Sequence, residues 1–177
     1  MAELGQELAT SLAIAGRTCV GLILLLAGIG KFRHWKILSG VIANYRLLPG
    51  FAVEPAARLL PPLEVGLGLL LLSGLAGRPA ALAGVLLLVV FGAAMAINLG
   101  RGRSSIDCGC GQSFLNQTLS WGLVGRNGVL AALLVASLGP SSAEISVPIL
   151  AMGACAGIGF VLLYHLINTL AALPRPV

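Results

Sequence analysis

The residues with the clearest capacity for chemistry are the two thiols of Asp107-Cys108-Gly109-Cys110-Gly111. Cysteines one residue apart project to the same side of an extended chain, with Cα atoms roughly 6–7 Å apart, near the upper limit for a disulfide. Glycine between and after them permits the dihedrals that would tighten the ring. So small a ring is strained, and a strained, exposed disulfide is easily reduced, as catalytic pairs are and structural ones are not. Arg101, Arg103 and Arg126 favour a thiolate here, and Asp107 opposes it. Other uses fit the same pair: thiolates select soft ions such as Cu(I) or Hg(II), and two loop cysteines can be inert. A structural zinc site is poorly served, because it needs four ligands and no second cysteine pair is present.

The elements that hold this motif are those of a membrane protein. Of 177 residues, 58% are apolar and 10% charged, against about 25% charged in an ordinary soluble domain. The mean hydropathy is +0.99. A soluble core of this size cannot bury so much apolar surface, a disordered chain needs low hydrophobicity, and four cysteines are too few for a secreted disulfide scaffold of this length. The net charge of +5 forms no basic stripe, so it points to a membrane surface and not to nucleic acid. Neither a CxxCH haem site nor a strand–GxGxxG–helix nucleotide unit occurs.

The expected architecture is all-α: one integral membrane domain, a polytopic bundle of four to five transmembrane helices with an interfacial amphipathic helix after the first. The spans fall at about 8–30, 59–75, 79–100, 119–138 and 147–170. The acidic N-terminus lacks the positive n-region of a cleaved signal peptide, so the first span is read as retained. No C-terminal lipidation signal is visible. Lys31 to Lys36, with Trp35 among them, mark a membrane exit. Phe32, Trp35, Ile37, Leu38, Val41, Ile42, Tyr45 and Leu48 then recur at roughly helical spacing, as in a short amphipathic helix lying on the membrane, which Pro49-Gly50 ends. Pro61-Pro62 fit the first turn of the second span, where missing amide donors cost least. Small residues such as Gly66, Gly68, Gly84, Gly92, Gly153, Gly157 and Gly159 suit close helix packing in lipid.

Five spans put alternate loops on opposite ends. End B, away from the N-terminus, receives the cysteine loop, Glu64, Asn98, Arg126, Asn127, His165 and Asn168. An ionisable group inside a membrane is a functional hypothesis by default. Glu64 and Arg126, of similar depth and opposite sign, are expected to pair, either as a register-fixing contact or as a polar site beneath the cysteines. Arg17, near end A, is expected to snorkel outward. Cys19 and Cys155 sit mid-span as small hydrophobes, with an electron relay, together with His165, as the alternative role.

The sequence resembles the methylamine-utilisation membrane protein (MauE) family, within a wider DoxX-like group of small redox-associated membrane proteins. The resemblance rests on Gly28-Ile29-Gly30-Lys31-Phe32, Asn44-Tyr45-Arg46-Leu47-Leu48-Pro49, Leu60-Pro61-Pro62-Leu63-Glu64, Asn98 to Arg103, Asp107 to Gly111, and Trp121 to Asn127. These pieces cover about 30 to 130 in order. The resemblance implies a multi-pass protein of the bacterial inner membrane working with a periplasmic thioredoxin-like (MauD-like) partner. In methylamine-oxidising bacteria that pair supports maturation of the disulfide-rich small subunit of methylamine dehydrogenase. It implies that Cys108 and Cys110 are the redox element, with Glu64 and Arg126 as polar support. The rival functions are a soft-metal carrier, a quinone-linked oxidoreductase subunit and a non-catalytic assembly factor.

Charge placement opposes part of this. Lys31, Arg33, Lys36, Arg46, Arg58, Arg101, Arg103 and Arg175 belong to end B, against Arg78 in an end-A loop. The positive-inside rule thereby puts the cysteines in the cytoplasm, whereas oxidative exchange with a periplasmic partner needs them outside. Either electrons enter from the cytoplasm and cross through Cys19 or Cys155, or the interfacial segment distorts the count.

Overall fold

The computed structural model describes residues 2–109, 118–138 and 146–172. Its helices are α1 (Ala2–Arg33), α2 (Trp35–Tyr45), α3 (Gly50–Ser73), α4 (Gly77–Gly100), α5 (Trp121–Ala136) and α6 (Val147–Ala172). Helix is the expected outcome for apolar segments that must satisfy their own backbone groups in lipid. Four of them, α1, α3, α4 and α6, are long and apolar enough to cross a membrane, and α5 is a shorter apolar helix. The protein is therefore a multi-pass, all-helical membrane protein, and α2 is the short helix expected after the first span.

α1 is the central helix, packed on α3, α5 and α6, while α4 rests on α5 and α3 and α2 rests on α3. The inner core joins Cys19, Val20, Ile23 and Leu24 of α1 to Leu71, Ala80, Ala81, Leu88, Leu130, Ala131, Leu134 and Val161. Outward faces carry exposed leucine and valine, among them Leu69, Leu82, Leu86, Val89, Leu162 and Leu166, as a lipid-facing surface requires.

Close approach explains two of the glycine seams. A Cβ on Gly28 would stand 2.9 Å from the Pro61 carbonyl oxygen and 3.0 Å from the Val65 nitrogen, and one on Gly68 would stand 2.8 Å from the Leu25 nitrogen. Along the N-terminal half of α1, Gly153 and Gly157 of α6 abut the Ser11 and Ala15 carbonyl oxygens at 2.9 and 2.8 Å by the same measure. Gly66 and Gly159, grouped with these in the sequence, face open space.

The second span differs from expectation in its start. α3 begins at Gly50, with Pro49 as its N-cap, so Pro55, Pro61 and Pro62 all lie inside the helix and not in its first turn. Three amide donors are missing, and membrane helices tolerate this where neighbouring helices shield the freed carbonyls; α1 and α2 flank α3 along this stretch. Arg17 Nη2 donates to the Ser137 carbonyl oxygen at 2.8 Å, capping the C-terminal end of α5, which lies at end A.

Candidate functional site

The polar groups of end B form two separate arrangements. The first is an ion pair not anticipated from the sequence. Lys31 Nζ donates to both carboxylate oxygens of Glu64, at 2.6 and 2.8 Å. The side chains retain 9% and 1% of their exposure. Glu64 therefore pairs with Lys31, and the expected Glu64–Arg126 pair is not formed. The reason is register. Gly28 and Lys31 share one face of α1, and Pro61, Glu64, Val65 and Gly68 share one face of α3, at spacings of three and four. The glycine contacts that draw the two helices together bring the opposite charges face to face. Lys31 is thus a buried, neutralised lysine and drops out of the loop-charge tally at end B. Its ammonium also lies 5.6 Å from the centre of the Phe91 ring.

The second arrangement surrounds Arg126. Its guanidinium stacks 5.3 Å from the Tyr164 ring centre, joining α5 to α6. His165 meets that tyrosine edge-on at 5.3 Å. Asn127 is buried against α4, its Nδ2 donating to the Leu123 carbonyl at 3.0 Å. Asn98, fully buried, donates to the Ala94 carbonyl and accepts from Arg103 Nη1 at 3.2 Å, which ties the start of the cysteine loop to the end of α4. Arg101 and Asp107 are exposed. The Asn168 side chain lies outside the described residues.

The cysteine loop is closed at its base by backbone. Leu119 N–H donates to the Ile106 carbonyl at 3.0 Å, and Asp107 and Thr118 form an isolated antiparallel bridge. Cys108 follows directly and is buried, packed with Met95, Leu119 and Leu123. The Tyr45 hydroxyl donates to its carbonyl at 3.0 Å. Gly109 has φ +63°, and a Cβ there would meet Val41 Cγ1 at 2.9 Å. Glycine is thus required at this position twice, by the left-handed backbone and by the closeness of α2. Cys110 lies outside the described residues.

These contacts enclose a cavity of about 310 Å³. Leu38, Val41, Ile42 and Tyr45 of α2 form one wall and Val90, Phe91, Ala94 and Met95 of α4 another. Ala56 and Leu60 of α3, Lys31, Cys108 and Gly109 complete the lining, with Leu47 and Leu48. The stripe on α2 recurs at i, i+3, i+4 and i+7, so the amphipathic pattern read from sequence faces this cavity. Lys31, Tyr45, Val41 and Phe91 had not been singled out as site residues. The signal available for Lys31 was its spacing from Gly28.

The other two cysteines are apart from this site. Cys19 is 2% exposed within the inner core, while Cys155 is exposed on α6. Among the described residues no group of three or more His, Cys, Asp or Glu is placed to hold a metal ion.

The family described as "Methylamine utilisation protein MauE" matches residues 9–139. The chain belongs to the MauE family. It is 42% identical over 167 residues to the Methylamine utilization protein MauE of Methylorubrum extorquens, covering 93% of this chain and 88% of that one. It is 41% identical over 150 residues to that of Paracoccus denitrificans, covering 84% and 81%. No solved structure matches. The matched span of this MauE-family chain contains the Lys31–Glu64 pair, the cavity and the cysteine loop, and ends before α6.

Proposed function

We propose that this MauE-family protein is a membrane thiol–disulfide exchange protein of the bacterial inner membrane. Its Cys108–Cys110 pair exchanges with a thioredoxin-like partner and supports maturation of exported proteins in methylamine utilisation. The observation that carries the reading is the way the motif is held. The Cys108 carbonyl is anchored by Tyr45, Gly109 is seated on Val41, and the loop is closed behind them. A merely connecting loop needs none of these contacts.

The buried setting of Cys108 supports a division of roles in which Cys110 is the sulfur that meets the partner. A partner thiolate attacks the Cys110 sulfur of the disulfide and forms a mixed disulfide. Cys108 leaves as the thiolate, and the partner's second thiol then attacks its own sulfur, releasing Cys110. The partner is oxidised by two electrons and the pair reduced by two. In the reverse direction Cys108 is the resolving thiol. The positive charge of Arg101 and Arg103 in the same loop favours the thiolate form of the pair.

The test is the in-vivo redox state of the pair, trapped with a membrane-impermeant thiol reagent before and after reductant. The reading expects a pair that cycles between disulfide and dithiol and labels from the exported side, and expects Cys108→Ala to accumulate a mixed disulfide through Cys110. Permanently reduced thiols, reached only once the membrane is opened, overturn it in favour of the side that the lysine and arginine count indicates.

A further inference from the structure

The cavity beneath α2 has the chemistry of a slot for a hydrocarbon chain. Its lining is carbon almost throughout, from Val41 of α2, Leu60 of α3, and Val90, Phe91 and Ala94 of α4. The polar groups of two lining residues are already engaged, the Lys31 ammonium with Glu64 and the Tyr45 hydroxyl with the Cys108 carbonyl. A polar ligand would give up its water here without gaining hydrogen bonds in return. The volume of about 310 Å³ lies at the lower end of ligand sites, roughly 300–1,000 Å³. It suits part of a lipid better than the whole of one.

Depth indicates where the chain comes from. The cavity reaches from α2 at end B down to Val90 of α4 and Leu60 of α3. Each of these residues is ten positions from the end-B terminus of its helix, at Gly100 and Gly50, or about 15 Å along the helix axis. That is the depth of one leaflet, half of a hydrocarbon core of about 30 Å. Val90 is exposed and lies beside exposed Leu86 and Val89 on the lipid-facing surface of α4. The cavity therefore opens toward the bilayer.

Charge at end B selects the headgroup. Lys31 and Arg58 are matched by Glu64 and Glu54. Arg33, Arg46 and Arg101 are exposed, and none has a carboxylate partner among the described residues. Asp107 is the exposed acid that opposes them in the cysteine loop. Arg46 is the best placed of the three. It occupies the left-handed turn that ends α2, between Tyr45 and Leu47, which both line the cavity. Basic residues at the mouth of a pocket between membrane helices suit an anionic lipid headgroup.

We infer that the cavity holds one acyl chain of an anionic phospholipid from the end-B leaflet, with the phosphate headgroup at Arg46. This does not depend on how the cysteines react. The chain lies behind Val41 and Tyr45, the residues that hold Gly109 and the Cys108 carbonyl. The lipid thus supports the cysteine loop from within the bilayer.

The experiment uses the full chain, delipidated in mild detergent and titrated with phosphatidylglycerol or with phosphatidylcholine of identical chains. Bound lipid is counted by native mass spectrometry. One saturable phosphatidylglycerol is expected, held at least about fivefold more tightly than phosphatidylcholine, the preference that one arginine supplies. Arg46→Gln should bring the two lipids within about twofold of each other without weakening phosphatidylcholine. Ala94→Trp fills the cavity, and Val90→Trp narrows its mouth from an exposed position where folding is least at stake. Each should weaken phosphatidylglycerol at least tenfold. Glycerol phosphate, the headgroup without chains, should not compete. Equal affinity for the two lipids, binding without saturation, or phosphatidylglycerol affinity unchanged in both tryptophan variants overturns the inference, because lipid then merely surrounds the helices. Displacement by glycerol phosphate overturns it in favour of a surface phosphate site. A different apolar molecule that stays bound and that phosphatidylglycerol does not displace overturns it as well.

Discussion

Removing one member of the Lys31–Glu64 pair is expected to be far more damaging than removing both. At a mean separation near 2.7 Å, two unit charges attract by about 6 kcal/mol at an effective dielectric constant near 20. Burying each ion costs several kcal/mol, so the intact pair roughly breaks even against apolar residues of similar size. Lys31→Met leaves the carboxylate of a residue with no residual exposure without its cation, and about 3–5 kcal/mol of stability is lost. Glu64→Leu strands the ammonium with a similar loss. The double variant Lys31→Met/Glu64→Leu should return to within about 2 kcal/mol of wild type. The coupling between the positions is then on the order of 3 kcal/mol or more, at the top of the usual range for contacting residues. The assay is unfolding in mixed micelles of mild detergent and dodecyl sulfate, followed by fluorescence of Trp35 and Trp121. Arg126→Met is the control: because Glu64 does not pair with Arg126, the Glu64 and Arg126 effects should add within about 0.5 kcal/mol. Single variants costing less than about 1 kcal/mol, or coupling found between positions 64 and 126, would refute the pairing.

Gly157→Ala should destabilise by about 1–3 kcal/mol, because its Cβ would stand 2.8 Å from the Ala15 carbonyl oxygen. Gly159→Ala, with open space around it, should be neutral or slightly stabilising; the same micelle titration checks both. Gly109→Ala combines a φ of +63° with a close approach to Val41 and should cost about 1–2 kcal/mol locally, read as faster proteolytic nicking of the cysteine loop in an otherwise folded protein. Tyr45→Phe deletes the hydrogen bond to the Cys108 carbonyl and should release about 1 kcal/mol of loop anchoring, measured by faster alkylation of the reduced Cys108.

Much of the architecture was legible in one dimension. Hydrophobic run length marked α4 to within two residues at its start, and helical spacing marked α2, although residues expected to lie on the membrane line the cavity instead. Prolines misled: Pro61-Pro62 signal a helix start in water, but in this bundle the helix runs through them from Gly50. The sign-and-depth argument that paired Glu64 with Arg126 failed because depth along a span does not specify azimuth.

Composition by itself determined that the chain lives in a membrane, because no globule of 177 residues can hide so much apolar surface. The Cys-Gly-Cys spacing determined the chemistry on offer, since spacing and glycine content are local properties of the chain. Tertiary structure alone decided the partners. It turned Lys31 from a boundary charge into a buried counter-ion of Glu64, left Arg126 to stack on Tyr164, and set Cys108 against a cavity beneath α2. Those outcomes depend on which helix faces meet. That is fixed by packing of small residues between segments distant in the chain, which no local pattern records.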